Sequence, residues 1–253
     1  MKPVNALVAW MVDIRLGLRL MLRRPLFSAA IVLHLALGIG ATTAIFSVVN
    51  GVLLRKLPYP EPDRLMTVRT HHRGSISLNN SGANFLDYRD QIESIESVAA
   101  FAAVPWHLGD TTDPRHLTGV FVTHEFFPTL GTEPLVGRVF TVDDERPDAN
   151  VAVIRFSFWQ SHFGGIPDIV GRNVTLDGQP YAVVGVMPAD FHFLNRQAEV
   201  WRPVWLNPGD PSLRANHNLR VVCRLANGVT SAEAQGEFAT YGERVARQFP
   251  QFY

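Results

Sequence analysis

Between Arg24 and Arg55 the chain runs for 30 residues without an Asp, Glu, Lys or Arg. The stretch opens with Pro25-Leu26-Phe27 and closes with Val52-Leu53-Leu54. A bilayer core takes about 20 apolar residues in a helix, because each backbone N–H and C=O must find its partner inside the segment. Thirty residues at about 1.5 Å each reach roughly 45 Å, enough to cross with some tilt. A core helix of this length would carry a charged face. A signal peptide would have an apolar region of about 7–15 residues followed by a small-residue cleavage site. The sequence shows no convincing site of that kind after the run. The run therefore predicts a membrane helix over 25–54.

Within this helix Ala36, Gly40 and Ala44 recur every four residues and share one face. Such a small-residue groove lets a second helix approach closely in lipid, although Ala and Gly are also common in membrane helices for no such reason. His34 falls near mid-span, where a polar side chain faces protein or water. Ahead of the span, Arg15, Arg19 and Arg23 stand at i, i+4 and i+8 beside Ile14, Leu18, Met21 and Leu22. This pattern predicts an amphipathic helix over 1–24 lying in the membrane interface, its cations toward anionic headgroups.

Charge separates the two ends of the chain. Lys plus Arg and Asp plus Glu are both 23, yet residues 1–60 hold seven basic residues and one acid, Asp13. The remainder is acidic on balance. There is no basic excess to neutralise phosphates, so a nucleic-acid partner is not expected. The only lysines are Lys2 and Lys56, and neither follows a glycine, so no Walker A loop is present. One cysteine, Cys223, excludes an internal disulfide. Orientation is not decided by charge: four basic residues precede the span closely and five (Arg55, Lys56, Arg64, Arg69, Arg73) follow it.

Past the span, Leu57-Pro58-Tyr59-Pro60-Glu61-Pro62 cannot be helical and predicts a stiff connector over 55–63. The body, 64–253, predicts a mixed α+β domain. Strands are expected at 64–70, 98–104, 117–122, 151–154, 174–176, 181–186, 200–204 and 219–225. Helices are expected at 85–92, after a turn at Asn79-Asn80-Ser81-Gly82, and at 125–130 and 156–163. Asp177-Gly178 suits a tight hairpin turn. Thr230-Ser231-Ala232-Glu233 is a capping box opening a helix to about residue 248.

No catalytic constellation emerges. His124-Glu125 begins like a zinc-protease helix, but Pro128 stands where the second histidine is needed. His71-His72 are adjacent rather than four apart. Asp143-Asp144-Glu145 with Asp148 lacks EF-hand spacing and predicts a solvated loop. Trp106, Trp159, Trp201 and Trp205 are expected to pack cores. No catalytic residue, cofactor or metal is assigned.

The run Leu35-Ala36-Leu37-Gly38-Ile39-Gly40-Ala41-Thr42-Thr43-Ala44-Ile45-Phe46-Ser47-Val48-Val49-Asn50, followed by Leu57-Pro58-Tyr59-Pro60-Glu61-Pro62-Asp63-Arg64-Leu65, resembles the start of MacB-type ABC transporter permeases, closest to the duplicated acidobacterial type. The likeness continues in Phe126-Phe127-Pro128-Thr129-Leu130-Gly131, Gly137-Arg138-Val139-Phe140, Phe158-Trp159, Gly171-Arg172 and Val183-Val184-Gly185-Val186-Met187-Pro188.

The resemblance implies a bacterial inner-membrane protein with a cytoplasmic N-terminus and one span in this chain. Residues 61–253 would then lie outside the cytoplasm as a periplasmic core domain with a porter-like part and an inserted second part. It further implies no catalysis by the chain itself. Its partners would be a cytoplasmic ABC ATPase subunit, the remaining permease helices or a second permease copy, the lipid bilayer and a periplasmic adaptor. Relatives continue through further membrane helices, so the chain is expected to be an N-terminal portion, or a truncated member, of an efflux or export permease. The alternative expectation is a membrane-anchored extracytoplasmic interaction domain without transport.

Overall fold

The computed structural model describes residues 10, 15–17, 19, 22–49, 58–72, 75–109, 115–193 and 198–253. The chain divides into two compact units, residues 1–57 and 58–253. In the first, α1 (Pro25–Val49) is a continuous helix without a charged residue. Pro25 is tolerated at its start because the first turn needs no N–H partner. Mean hydropathy is 2.0 over Pro25–Ser47, and none of that segment is buried within the chain. A helix that is apolar all round needs a nonpolar surrounding. Two of its polar side chains bond to the helix's own backbone: His34 Nδ1 lies 2.8 Å from the Ala30 carbonyl and Thr42 Oγ1 donates to the Gly38 carbonyl at 2.8 Å. His34 thus finds its partner on its own helix. The expected interfacial helix over 1–24 falls largely outside the described residues, as do residues 50–57.

The second unit is built on one large sheet. Its strands begin with β1 (Leu65–Val68), β2 (Thr70–His72), β3 (Ser75–Ser77) and β4 (Asn79–Ser81). Next come β5 (Ile95–Leu108), β6 (Arg115–Val122), β7 (Val136–Gly137) and β8 (Val151–Arg155). The last are β9 (Asn173–Leu176), β10 (Gln179–Met187), β11 (Val200–Pro203) and β12 (His217–Leu225). Ten of them form a sheet in the order β1-β12-β5-β6-β11-β8-β10-β7, with β4 on β12 and β9 on β10 and β5. Pairing is antiparallel except for β8 with β10 and β6 with β11. β2 and β3 form a separate ribbon.

Four helices cover the sheet: α2 (Gly82–Gln91), α3 (Phe126–Leu130), α4 (Phe156–Phe163) and α5 (Ser231–Gln248). Phe85 and Tyr88 of α2 and Tyr241 and Val245 of α5 pack with Val98, Ala100, Val221 and Cys223. Phe126, Phe127 and Leu130 of α3 pack with Ala99, Phe101 and Val222. Alternate residues of β5 thus enter different cores, which is why Val98–Phe101 is an unbroken apolar run. Phe158 of α4 closes a third core with Ile154, Ile169, Val174, Leu176 and Val183. Cys223 is fully buried, and burial pushes its thiol up to about 12.

Local signals are followed closely where they are strong. Asp177 and Gly178 take φ 48° and 77°, as a hairpin turn with two left-handed residues requires. Thr230 and Glu233 form the capping box. Tertiary contacts alter three expectations. Asn79–Ser81 is a strand rather than a turn. Asn80 is buried, donates to the Val68 and Leu78 carbonyls at 3.1 Å and accepts from Tyr88 at 3.0 Å. Ser81 then caps α2, its Oγ accepting from Asn84 N at 3.1 Å. The expected strand 64–70 divides between β1 and β2. The acidic run is not simply solvated, because Asp144 is 7% exposed. It accepts from Arg138 at 2.6 and 3.1 Å and from the Thr141 N–H at 2.8 Å. Burial pushes the Asp144 carboxyl up, but these hydrogen bonds outweigh it and hold the group below its usual range. Trp106 and Trp201 are buried and Trp159 is partly so, whereas Trp205 is half exposed.

Candidate functional site at the connector

The segment joining the apolar helix to the sheet is fastened to the core. Tyr59 packs beside the α3 core, and its hydroxyl donates to the His192 carbonyl at 2.6 Å. Burial pushes this phenol up to about 12. Glu61 adopts φ 45°, which reverses the chain into a 3-10 turn at Pro62–Arg64. Arg64 then donates from Nε and Nη2 to the Leu225 carbonyl at 3.0 and 2.6 Å. Its guanidinium also reaches Glu61 at 2.8 Å and Glu96.

Arg224, on β12, makes the second fastening. It is 6% exposed. Nε donates to the Thr129 carbonyl at 3.0 Å and Nη1 to the Pro60 carbonyl at 3.1 Å. One rigid planar fork thus joins the connector, α3 and the central sheet through two of its nitrogens. Gly131, left-handed at φ 67°, ends α3 where an added Cβ would come within 3.1 Å of the Pro60 ring. Leu57-Pro58-Tyr59-Pro60 gave a stiff connector from sequence; only the fold shows residues 58–64 packed onto the domain.

At the other end of α3, His124 Nδ1 lies 3.2 Å from Glu125 and 3.1 Å from Glu145. Neither contact has the alignment of a good hydrogen bond. The Glu145 carboxylate also accepts from the His124 backbone N–H at 2.6 Å. Proximity to Glu145 raises the His124 pKa most; burial opposes this, and the Glu125 charge adds to it. Arg89 stands 3.6 Å from Glu125. The histidine and two carboxylates are close enough to form a ligand set for a metal ion. Arg89 and, when protonated, His124 balance the two carboxylates. Sequence reasoning tested His124-Glu125 for a partner within α3, whereas the partner arrives from the acidic loop.

The other predicted positions are not brought into this site. Ala36, Gly40 and Ala44 share α1, all exposed, and a Cβ at Gly40 would meet nothing within 4 Å. Arg15, Arg19 and Arg23 are helical and exposed.

No curated protein sequence matches the chain. Among solved structures it is similar to a permease-protein domain from Porphyromonas gingivalis, at 19% identity and TM-score 0.55, over 74% of this chain and 86% of that one. It is similar to the periplasmic region of MacB from Actinobacillus actinomycetemcomitans, at 17% identity and TM-score 0.54, over 72% of this chain and 84% of that one. It is also similar to the extracellular domain of the noncanonical ABC-type transporter YknZ from Gram-positive bacteria, at 14% identity and TM-score 0.51, over 75% and 94%. At these identities the likeness is one of fold. The sequence pattern of the MacB-like periplasmic core domain matches residues 28–241, a span that takes in most of α1 and every strand of the sheet, and the chain belongs to that family.

Proposed function

We propose that this chain is the first membrane helix and extracytoplasmic core domain of an ABC transporter permease. In this reading it passes motion from a separate cytoplasmic ATPase to substrates or partner proteins outside the membrane during efflux or export. The observation that carries the reading is the fastening of residues 59–64 by Arg224, Arg64 and Tyr59. A freely jointed linker would dissipate displacement of the apolar helix. Displacement that reaches residues 59–64, hydrogen-bonded to β12 and α3, passes to the sheet, because packed elements move as rigid bodies. The chain lacks a glycine-lysine pair, so nucleotide hydrolysis is assigned to the partner.

Two measurements test this. Alkaline phosphatase fused after Tyr253 should be active, reporting an extracytoplasmic body; activity of a cytoplasmic reporter there instead would overturn the topology. Disrupting the seat with Arg224→Ala should abolish efflux by the assembled transporter while ATPase binding and basal ATP hydrolysis persist. Unchanged efflux would refute the coupling role.

A further inference from the structure

We infer that His124, Glu125 and Glu145 bind a divalent transition metal ion, Zn2+ being the ion whose ligand preferences the three side chains match. The ligand atoms are His124 Nδ1, Glu125 Oε2 and Glu145 Oε1.

The set is assembled from two separate segments. His124 and Glu125 stand at the entry to α3, and Glu145 follows the 3-10 turn at Val142–Asp144. The fold brings the three ligand atoms within 4.8 Å of one another. Nδ1 lies 3.2 Å from Glu125 Oε2 and 3.1 Å from Glu145 Oε1. Ligands held about 2.0–2.2 Å from a tetrahedral zinc ion stand about 3.3–3.6 Å apart. These two contacts therefore need only small shifts to admit an ion.

Hydrogen bonding alone does not account for the arrangement. A ring nitrogen carries one proton or one lone pair in the ring plane, so it serves one carboxylate well and not two. Nδ1 and Glu125 Oε2 are both buried without a hydrogen-bond partner among the described residues. A metal ion accepts from the nitrogen and both oxygens at once. The surroundings hold these donors in place. Glu145 Oε1 accepts from the His124 backbone N–H at 2.6 Å. Arg89 of α2 stands 3.6 Å from Glu125 Oε1, which leaves Oε2 to face the histidine. Outer contacts of this kind orient the ligands of metal sites. One imidazole with two carboxylates suits zinc, whereas calcium takes six or more oxygens and magnesium keeps several waters. The three side chains are 15% to 24% exposed, so water can fill the fourth position. Metal and proton exclude one another, because both use the Nδ1 lone pair. A bound ion would tie the acidic loop to the start of α3, the helix whose Thr129 carbonyl is held by Arg224.

The test uses the full chain in detergent, stripped with a chelator and titrated with Zn2+ and, as a visible probe, with Co2+. A single equivalent should bind, and Co2+ should show the strong visible absorption of a four-coordinate site. Nitrogen NMR of the labelled parent should show Zn2+ moving the His124 Nδ1 resonance far more than Nε2, a readout that needs no variant to fold. His124→Gln and Glu145→Gln should each weaken Zn2+ binding by more than about 100-fold, beyond the cost of losing an outer-shell partner. Replacing His71 and His72 together by Gln should leave binding unchanged. Absence of stoichiometric binding, an unmoved Nδ1 resonance, or affinity that survives His124→Gln overturns the site. So does affinity that falls with the His71 and His72 replacements.

Discussion

Arg224 and Pro60 are 164 positions apart in sequence and are joined by a 3.1 Å hydrogen bond from guanidinium to carbonyl. The same guanidinium holds the Thr129 carbonyl at 3.0 Å. Residues 58–63 of the connector are thereby a structural part of the core domain.

Replacing Arg224 should expose how much of the domain depends on this joint. Arg224→Ala leaves the buried Thr129 carbonyl without this donor, at a cost of about 1–3 kcal/mol, and also releases the part-buried Pro60 carbonyl. Urea unfolding should show that loss, and trypsin should cleave after Arg64 earlier than in the parent. Arg224→Lys should fall between the two, because an ammonium lacks the guanidinium's fixed fork geometry. A parent-like unfolding midpoint in Arg224→Ala would remove the joint from the account.

Gly119 and Trp106 should prove energetically inseparable. A Cβ at Gly119 would sit 1.9 Å from the Trp106 ring. That ring is buried, meets Phe121 edge-on at 5.3 Å and lies 5.3 Å from the Arg202 guanidinium, so it has little room to retreat. Gly119→Ala should destabilise the domain by about 1–3 kcal/mol through overpacking. Trp106→Leu alone should also destabilise, by leaving a cavity. Combined, the two should cost less than their sum by roughly 1 kcal/mol or more. Simple additivity in thermal denaturation would contradict the close approach.

The His124 cluster predicts a pH dependence with a definite sign. Folding raises the His124 pKa, so the folded state binds the proton more tightly than the unfolded one. The resulting stability is complete below the unfolded value of about 6.5 and declines as pH rises through the higher folded value. The stability difference between the parent and His124→Gln should therefore shrink across that window. Glu145→Gln should lower the histidine midpoint in an NMR titration, since Glu145 is its largest support. A midpoint unmoved by that change would dismiss the pairing.

The apolar helix α1 offers a test that the isolated chain should pass unaltered. Gly40→Leu meets nothing within 4 Å and should leave this chain's folding untouched. If the face of Ala36, Gly40 and Ala44 holds a second helix, the same change should weaken crosslinking to the rest of the permease. Reversing Arg15, Arg19 and Arg23 to Glu should loosen membrane seating or ATPase docking. A bilayer-surface role should weaken with added salt, since exposed charges are screened over about 8–10 Å.

What the sequence determined by itself is what depends on neighbours along the chain. The charge-free run forces an apolar helix because no residue in it could face water at low cost. Asp177-Gly178, the Gly131 and Gly164 helix ends and the Thr230–Glu233 cap were legible because each is settled within a few residues. Only the tertiary structure decided the rest. Asn79–Ser81 became a strand because β12 supplied hydrogen bonds that a local turn would otherwise have made. The connector seat needed Arg224 and His192 brought from far down the chain, and the partner of His124 came from the acidic loop rather than from its own helix. Single charged residues such as these carry no periodicity, so nothing in the linear pattern distinguishes a guanidinium that crosses the core from one that faces solvent. That choice is made when burial leaves a carbonyl without water and one side chain within reach.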